Sequence, residues 1–355
     1  MNQQVGISGT GRIGRLLIRK AFASGIPGAQ VTVINSTSPI GTVAHLLKYD
    51  TVHGKWDADI QVETDKLIIN GQEVAFVSER DPSLLPWARY GIDIAIDATG
   101  KFNDRPGASK HLTAGAKRVV VTAPGKDLDL TVVMGVNESS YDPDKHTLLS
   151  TASCTTNCLA PVLHILDRAF GIASGWMTTV HAYTNDQNHL DNPHKDLRRA
   201  RACTQSIVPT STGVGKALAG VLPHLAPVIR GLSLRVPTQD VSLVDLTAEV
   251  HRPVSKEEVQ QAFKTAVQGT LAPYVEYNEL PLVSSDYVGN DKSAVIDGLS
   301  LMASGRQVKV LAWYDNEWAY ACRVLDFVAH VAGHHAEKGE RTIKQNADTL
   351  TPSGV

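Results

Sequence analysis

The chain has 355 residues, 43% hydrophobic and 20% charged, with a net charge of −2 and four cysteines. That length can hold two domains with separate cores, and the near-neutral charge argues against nucleic acid as the main partner. Four cysteines are too few for a disulfide framework, no apolar run is long enough to span a membrane, and the N-terminus lacks the charged and apolar regions of a signal peptide, so a reducing, cytoplasmic setting is expected.

The chain opens as strand (residues 4–8), glycine turn (Gly9-Thr10-Gly11-Arg12-Ile13-Gly14), helix (16–23) and strand (31–35). A G-x-G-x-x-G that follows a strand, opens a helix and lies within about 30 residues of the next strand is the dinucleotide fingerprint, where a lone copy would be a weak signal. Alternation continues through a helix near 42–48, a hairpin at Asn70-Gly71, a strand at 92–97, a helix at 104–114 and a strand at 118–122. These elements predict an α/β fold, a Rossmann-type doubly wound parallel sheet over residues 1–152.

A strand at 147–150 then leads into Ser153-Cys154-Thr155-Thr156-Asn157-Cys158 and an apolar helix pattern, 159–170. Free cysteines are mostly small buried hydrophobes, and Cys158, Cys203 and Cys322 read that way. Cys154 differs, because unpaired N–H groups and the positive dipole at a helix start favour a thiolate, and neighbouring hydroxyls could bond an anion. Beyond it the pattern becomes β-rich (176–183, 232–236, 241–250, 308–314) with one helix at 255–268, predicting a mixed α+β catalytic domain over 153–316. Its long loop, 184–208, is rich in Asn, Asp, His and Arg, which in a compact domain points to a functional or subunit-contact role. An amphipathic helix, 317–331, within a segment 317–335, is expected to pack back on the first domain, and 336–355 reads as a loose polar tail. No residue spacing suggests metal ligands.

Seven motifs, GTGRIG at 9–14, ASCTTNC at 152–158, TVHAYTNDQ at 179–187, DLRRAR at 196–201, STG at 211–213, LRVPT at 234–238 and WYDNE at 313–317, give the chain a strong resemblance to phosphorylating glyceraldehyde-3-phosphate dehydrogenases, especially the bacterial ones. The resemblance implies a homotetramer in which the 184–208 loop lies near a neighbouring subunit's cofactor. It makes Cys154 the nucleophile that forms a thiohemiacetal and then a thioester, with His181 holding the thiolate and accepting the hydroxyl proton. Thr184 and Arg235 would hold the substrate's phosphate, and Ser153, Thr155, Thr212 and Gly213 the attacking inorganic phosphate, with Arg199 near both. Gly9, Gly11, Arg12, Ile13, Gly14, Arg80, Thr122 and Asn316 match cofactor-contact positions.

Two departures bear on which nicotinamide cofactor is used. Ser36, before Thr37, replaces the aspartate that in NAD-specific members receives the adenosine ribose, and Asn192-Pro193 lacks the leucine that NAD-preferring relatives tend to carry. Loss of that carboxylate removes a repulsion of about 1 to 4 kcal/mol for each phosphate charge some 4 Å away. NADP preference with some NAD use is therefore expected, as in the biosynthetic-direction branch of gluconeogenesis as opposed to glycolysis. Ser8 and Thr10 also depart from the usual Asn and Phe. The rival readings are an erythrose-4-phosphate dehydrogenase, which releases an acid, and a non-catalytic dinucleotide-sensing or RNA-binding protein.

Overall fold

A computed structural model describes residues 2–348, with side chains through residue 334. Two large sheets organise the chain. The first has nine strands in the order Leu130–Thr131, Leu148–Ser150, Arg118–Val121, Ile94–Asp97, Gln3–Ser8, Ala29–Asn35, Gln72–Val77, Lys66–Ile69, Ile60–Val62. Every pairing from Leu130–Thr131 to Gln72–Val77 is parallel, and the last two strands are antiparallel. The hairpin turns at Asn70 and Gly71, with φ of +50° and +79°, as a two-residue loop matched to strand twist requires.

The strand order reverses about Gln3–Ser8, which leaves a crevice at the carboxyl ends of that strand and Ile94–Asp97. The helix Arg12–Ser24 begins there and buries Leu16, Leu17 and Ile18 against the sheet. Two glycines allow this close approach. A Cβ on Gly9, whose φ is +103°, would stand 2.7 Å from the Ala98 carbonyl carbon, and one on Gly14 would stand 1.9 Å from the Gly9 carbonyl oxygen.

The second sheet is mixed, running Val208–Thr210, Ile229–Val236, Ile172–Ala182, Ser242–Val250, Gln307–Tyr314, Ala294–Asp297, Val275–Asn278, with Met302–Ser304 paired to Gln307–Tyr314. Helices Cys154–Phe170 and Lys256–Ala266 cover one of its faces, the latter started by a capping box of Ser255 and Glu258. The strand expected from 176 begins earlier, at Ile172, because its first residues pair with Val250 and Glu249 through a bulge. No helix or strand interrupts the chain between Ala182 and Val208.

The final helix, Trp318–Asp348, buries Val324, Leu325, Phe327, Val328 and Val331 in the same core as Leu16 and Val5 of the first sheet's layer. Each such side chain stabilises the packing by about 1.5 to 3 kcal/mol relative to exposure. The loose tail expected from 336 is corrected in part, since the helix continues to Asp348; residues 349–355 lie outside those described. Among the described residues no helix is long and apolar enough to cross a membrane.

Gly14→Ala should lower stability by about 3 kcal/mol or more, because the methyl group would overlap backbone that cannot yield. Urea unfolding followed by circular dichroism measures this; an unchanged midpoint would contradict the packing described.

Candidate active site

The strand Leu148–Ser150 ends at the carboxyl edge of the first sheet and passes through Thr151 and Ala152 into the helix Cys154–Phe170. Ala152 has φ +55°, a left-handed conformation costing about 1 to 2 kcal/mol for a residue with a Cβ. Its neighbours hold it there. Its N–H donates to Ser150 Oγ at 3.0 Å, and its carbonyl accepts from the Tyr320 hydroxyl at 3.1 Å. Asn157 Nδ2 donates to the carbonyls of Thr151 at 2.8 Å and Ser153 at 3.0 Å. Ser153 caps the helix, its Oγ accepting from the Thr156 N–H at 3.1 Å. Cys154 is thus the first helical residue, half-buried and packed against both cores.

His181 lies near the end of Ile172–Ala182, in register with Arg235 on the parallel strand Ile229–Val236. Its Nε2 is 3.5 Å from Cys154 Sγ. Its Nδ1 faces the Ala182 carbonyl at 2.7 Å, and Arg235 Nη1 donates to that same carbonyl at 3.0 Å while also lying against Nδ1. Nδ1 cannot donate to the carbonyl and accept from the guanidinium at once. Donation to the carbonyl leaves the Nε2 lone pair toward the sulfur, and the carbonyl's second lone pair still serves Arg235. The Tyr314 ring meets His181 edge-on, and its hydroxyl bridges Thr155 and Thr179 at 3.0 and 2.9 Å.

Burial pushes the Cys154 thiol up, while the Arg235 charge and a Thr155 backbone N–H pull it back. Burial, then Arg235, pushes His181 down to about 3. Either charge alone is therefore costly. A proton passed from Sγ to Nε2 creates both charges together, close enough to offset each other's desolvation.

Both groups line a cavity of about 990 Å³ that also reaches Gly11, Arg12, Ile13, Thr122, Ser153, Thr184, Arg199 and Asn316. A Cβ on Gly11 would meet no atom within 4 Å, so the backbone at the start of helix Arg12–Ser24 stands open to the cavity. That arrangement fits a pyrophosphate. The Arg12 guanidinium is committed to Asp50 and Glu317, which leaves its backbone N–H for a ligand. Asn316 is oriented by Ser242, which donates to its Oδ1 at 2.6 Å.

Other expected residues are not brought to this cavity wall. Thr155 is buried, its hydroxyl held by Tyr314. Arg235 stands behind His181, half-buried, and its Nε has no hydrogen-bond partner. Thr212 is half-buried, its Oγ1 accepting from the Val214 N–H at 3.3 Å, and Gly213 caps the short helix Val214–Ala219. Ser36 is buried with its Oγ 2.5 Å from Thr10 Oγ1, whereas Thr37, Arg80 and Asn192 are exposed. The sequence reading missed Tyr320, which holds the Ala152 turn, and Asp186, which pairs with Arg199. Only the adjacency of Tyr320 to the WYDNE motif could have drawn notice to the first.

Alkylation of Cys154 by iodoacetamide should slow as pH falls, because the thiolate is the nucleophile. Arg235→Met should move that profile to higher pH and slow alkylation at pH 7 by about tenfold, one unit of thiol shift. An unmoved profile would remove Arg235 from the electrostatics of the pair.

Residues 3–105 match the family model "Glyceraldehyde 3-phosphate dehydrogenase, NAD binding domain", and residues 153–316 match its "C-terminal domain". Glyceraldehyde-3-phosphate dehydrogenase 2 of Bacillus subtilis is 55% identical over 333 residues, covering 94% of this chain and 97% of the relative. The Geobacillus stearothermophilus glyceraldehyde-3-phosphate dehydrogenase is 51% identical, covering 94% and 99%. That of Streptomyces coelicolor is 46% identical, covering 93% and 99%. With both family domains matched in order and the thiol facing the imidazole across a dinucleotide-sized cavity, the chain belongs to the glyceraldehyde 3-phosphate dehydrogenase family of nicotinamide-dependent oxidoreductases.

Proposed function

We propose that this protein converts glyceraldehyde 3-phosphate, inorganic phosphate and NADP+ to 1,3-bisphosphoglycerate and NADPH through a thioester on Cys154, as a cytoplasmic homotetramer. The observation that carries the chemistry is the 3.5 Å approach of Cys154 Sγ to His181 Nε2 at a helix start. His181 takes the thiol proton, and the sulfur attacks the aldehyde carbon. The imidazolium returns that proton to the forming alkoxide, giving a thiohemiacetal, and takes it back as the carbon is oxidised. The backbone N–H of Cys154 and the His181 ring are the donors for each oxyanion. The nicotinamide, when bound, supplies the hydride acceptor. Attack of phosphate on the thioester then breaks the carbon–sulfur bond, and the thiolate re-forms beside the imidazolium.

Two anions need holding. The resemblance assigns Thr184 and Arg235 to the substrate's phosphate, and Ser153, Thr155, Thr212 and Gly213 to the attacking phosphate, with Arg199 serving both; of these Thr184, Ser153 and Arg199 line the cavity. Arg199 pairs with Asp186, and a phosphate dianion would compete for the same fork. The NADP preference is supported by the paired hydroxyls of Thr10 and Ser36, with no carboxylate on Ser36 to repel a 2′-phosphate. Oligomerisation is supported by large apolar side chains standing exposed on the second sheet's outer face, Trp176 at 70% and Met302 at 61%. Lys309 and Thr247 join those two in cross-strand register.

Initial rates of nicotinamide reduction with glyceraldehyde 3-phosphate should require inorganic phosphate, favour NADP over NAD, and vanish in Cys154→Ser. Reduction indifferent to phosphate, or faster with erythrose 4-phosphate, would move the assignment to the rival dehydrogenase. Survival of the function in Cys154→Ser would instead favour a binding protein. Ser36→Asp should shift the NADP to NAD ratio of kcat/KM toward NAD by at least about tenfold, 1.4 kcal/mol of restored repulsion. An unchanged ratio would sink the role given to Ser36.

A further inference from the structure

Beneath the cofactor cavity, where the two units meet, three side chains from distant parts of the chain converge. His53, Asp240 and Asp315 each bring a ligand atom within 4.8 Å of the others. His53 comes from the turn between Tyr49–Asp50 and Gly54–Lys55 in the first unit. Asp240 precedes the strand Ser242–Val250 and Asp315 follows Gln307–Tyr314; Ser242 and Tyr314 are cross-strand partners, so both carboxylates lie at one edge of the second sheet. Among the described residues this is the one such group of three.

Asp240 is the anomaly. It is 6% exposed, yet neither carboxylate oxygen has a hydrogen-bond partner. The nearest basic atom is His53 Nε2, at 3.7 Å. A buried carboxylate with no donor is costly and rare. Asp315, by contrast, is fixed: Oδ1 accepts from the N–H groups of Glu317 at 2.9 Å and Trp318 at 2.6 Å, and Oδ2 from Gly289 at 2.7 Å. Such backbone donors orient a carboxylate as outer partners do around a metal.

We propose that His53 Nε2 and the carboxylates of Asp240 and Asp315 form a site for one divalent transition cation of the Mn2+ type, joining the two units beneath the cofactor cavity. One imidazole nitrogen and two carboxylate oxygens suit a cation of intermediate hardness, and the two negative charges neutralise it. Glu317 Oε2, 3.2 Å from the same His53 nitrogen and tied to Arg12, closes one side of the site. Entry is available from the cavity, whose lining includes Val52, Gln239 and Asn316, each next in sequence to a ligand.

The three ligands lie far apart in sequence, which is why residue spacing gave no hint of them. The experiment is a Mn2+ titration of the full-length, chelator-treated protein, free Mn2+ being read by electron paramagnetic resonance. Mn2+ prefers oxygen and imidazole ligands to thiolate, so it leaves the Cys154 thiol aside. One Mn2+ per chain is expected, with at least tenfold weaker binding in Asp240→Asn and in His53→Gln. The thermal midpoint should rise with Mn2+ in the wild type and stay level in both variants. Pulsed spectra of the wild-type complex should show coupling to one imidazole nitrogen, a result that needs no variant to fold. Absence of binding up to millimolar Mn2+, equal binding in Asp240→Asn, or absence of nitrogen coupling would each overturn the site.

Discussion

The reactive centre depends on a single continuity of chain: the strand Leu148–Ser150 belongs to the first sheet, and the helix it feeds, Cys154–Phe170, belongs to the second unit's core. Because the turn between them is only a few residues long, the first residue of the helix must stand at the junction of the two cores. Both sheets also turn the carboxyl ends of key strands toward that junction, one offering the dinucleotide crevice and the other His181. The left-handed Ala152 is the cost of bending so sharply. Ser150, Asn157 and Tyr320 fix the turn from three directions, so the strain is offset by packing that also fixes the sulfur.

The same junction sets the electrostatics. A buried charge is tolerated when it is paired or hydrogen-bonded, and the charged side chains here mostly obey that rule. Arg12 binds Asp50 and Glu317, and its partners hold the guanidinium firmly in its charged form. Arg199 binds Asp186. Arg235, further enclosed, donates to the Ala182 carbonyl and acts on the thiol mainly through its field. Of these pairs Arg12–Glu317 joins the first unit to the second, so there electrostatic satisfaction and domain alignment are one constraint.

What could be read from the sequence was what is local. The fingerprint glycines act within a few residues, through clashes of Gly9 with Ala98 and of Gly14 with Gly9, and the helix start at Cys154 follows from Ser153 as its cap. The Asn70-Gly71 hairpin was legible for the same reason. Short strands such as Ala294–Asp297 and Val275–Asn278 were not, because four residues carry too little periodicity and their pairing is decided from outside, Ala294–Asp297 lying on Gln307–Tyr314 and Val275–Asn278 on Ala294–Asp297. Tyr320 lies 168 residues from the Ala152 carbonyl it holds, and no local pattern marks such a contact. The tail was misjudged where polar residues extend a helix whose apolar stripe ends earlier, since helix propagation does not need a buried face at each turn.

Asp240 shows where local and global reasoning part. In the sequence it is an ordinary residue before a strand. In the fold it is the exception to the pairing rule that Arg12, Asp50, Glu317, Arg199 and Asp186 obey around the same cavity. Among the described residues Asp240 is the one buried carboxylate whose oxygens lack a hydrogen-bond partner, and a function is a physical reason for such a cost to persist. A proton or a cation can meet that cost, and the two differ in consequence. A proton neutralises Asp240 alone, whereas a cation would draw His53 of the first unit onto Asp240 and Asp315 of the second. Only the second would couple an ion's concentration to the alignment of the units that form the cavity.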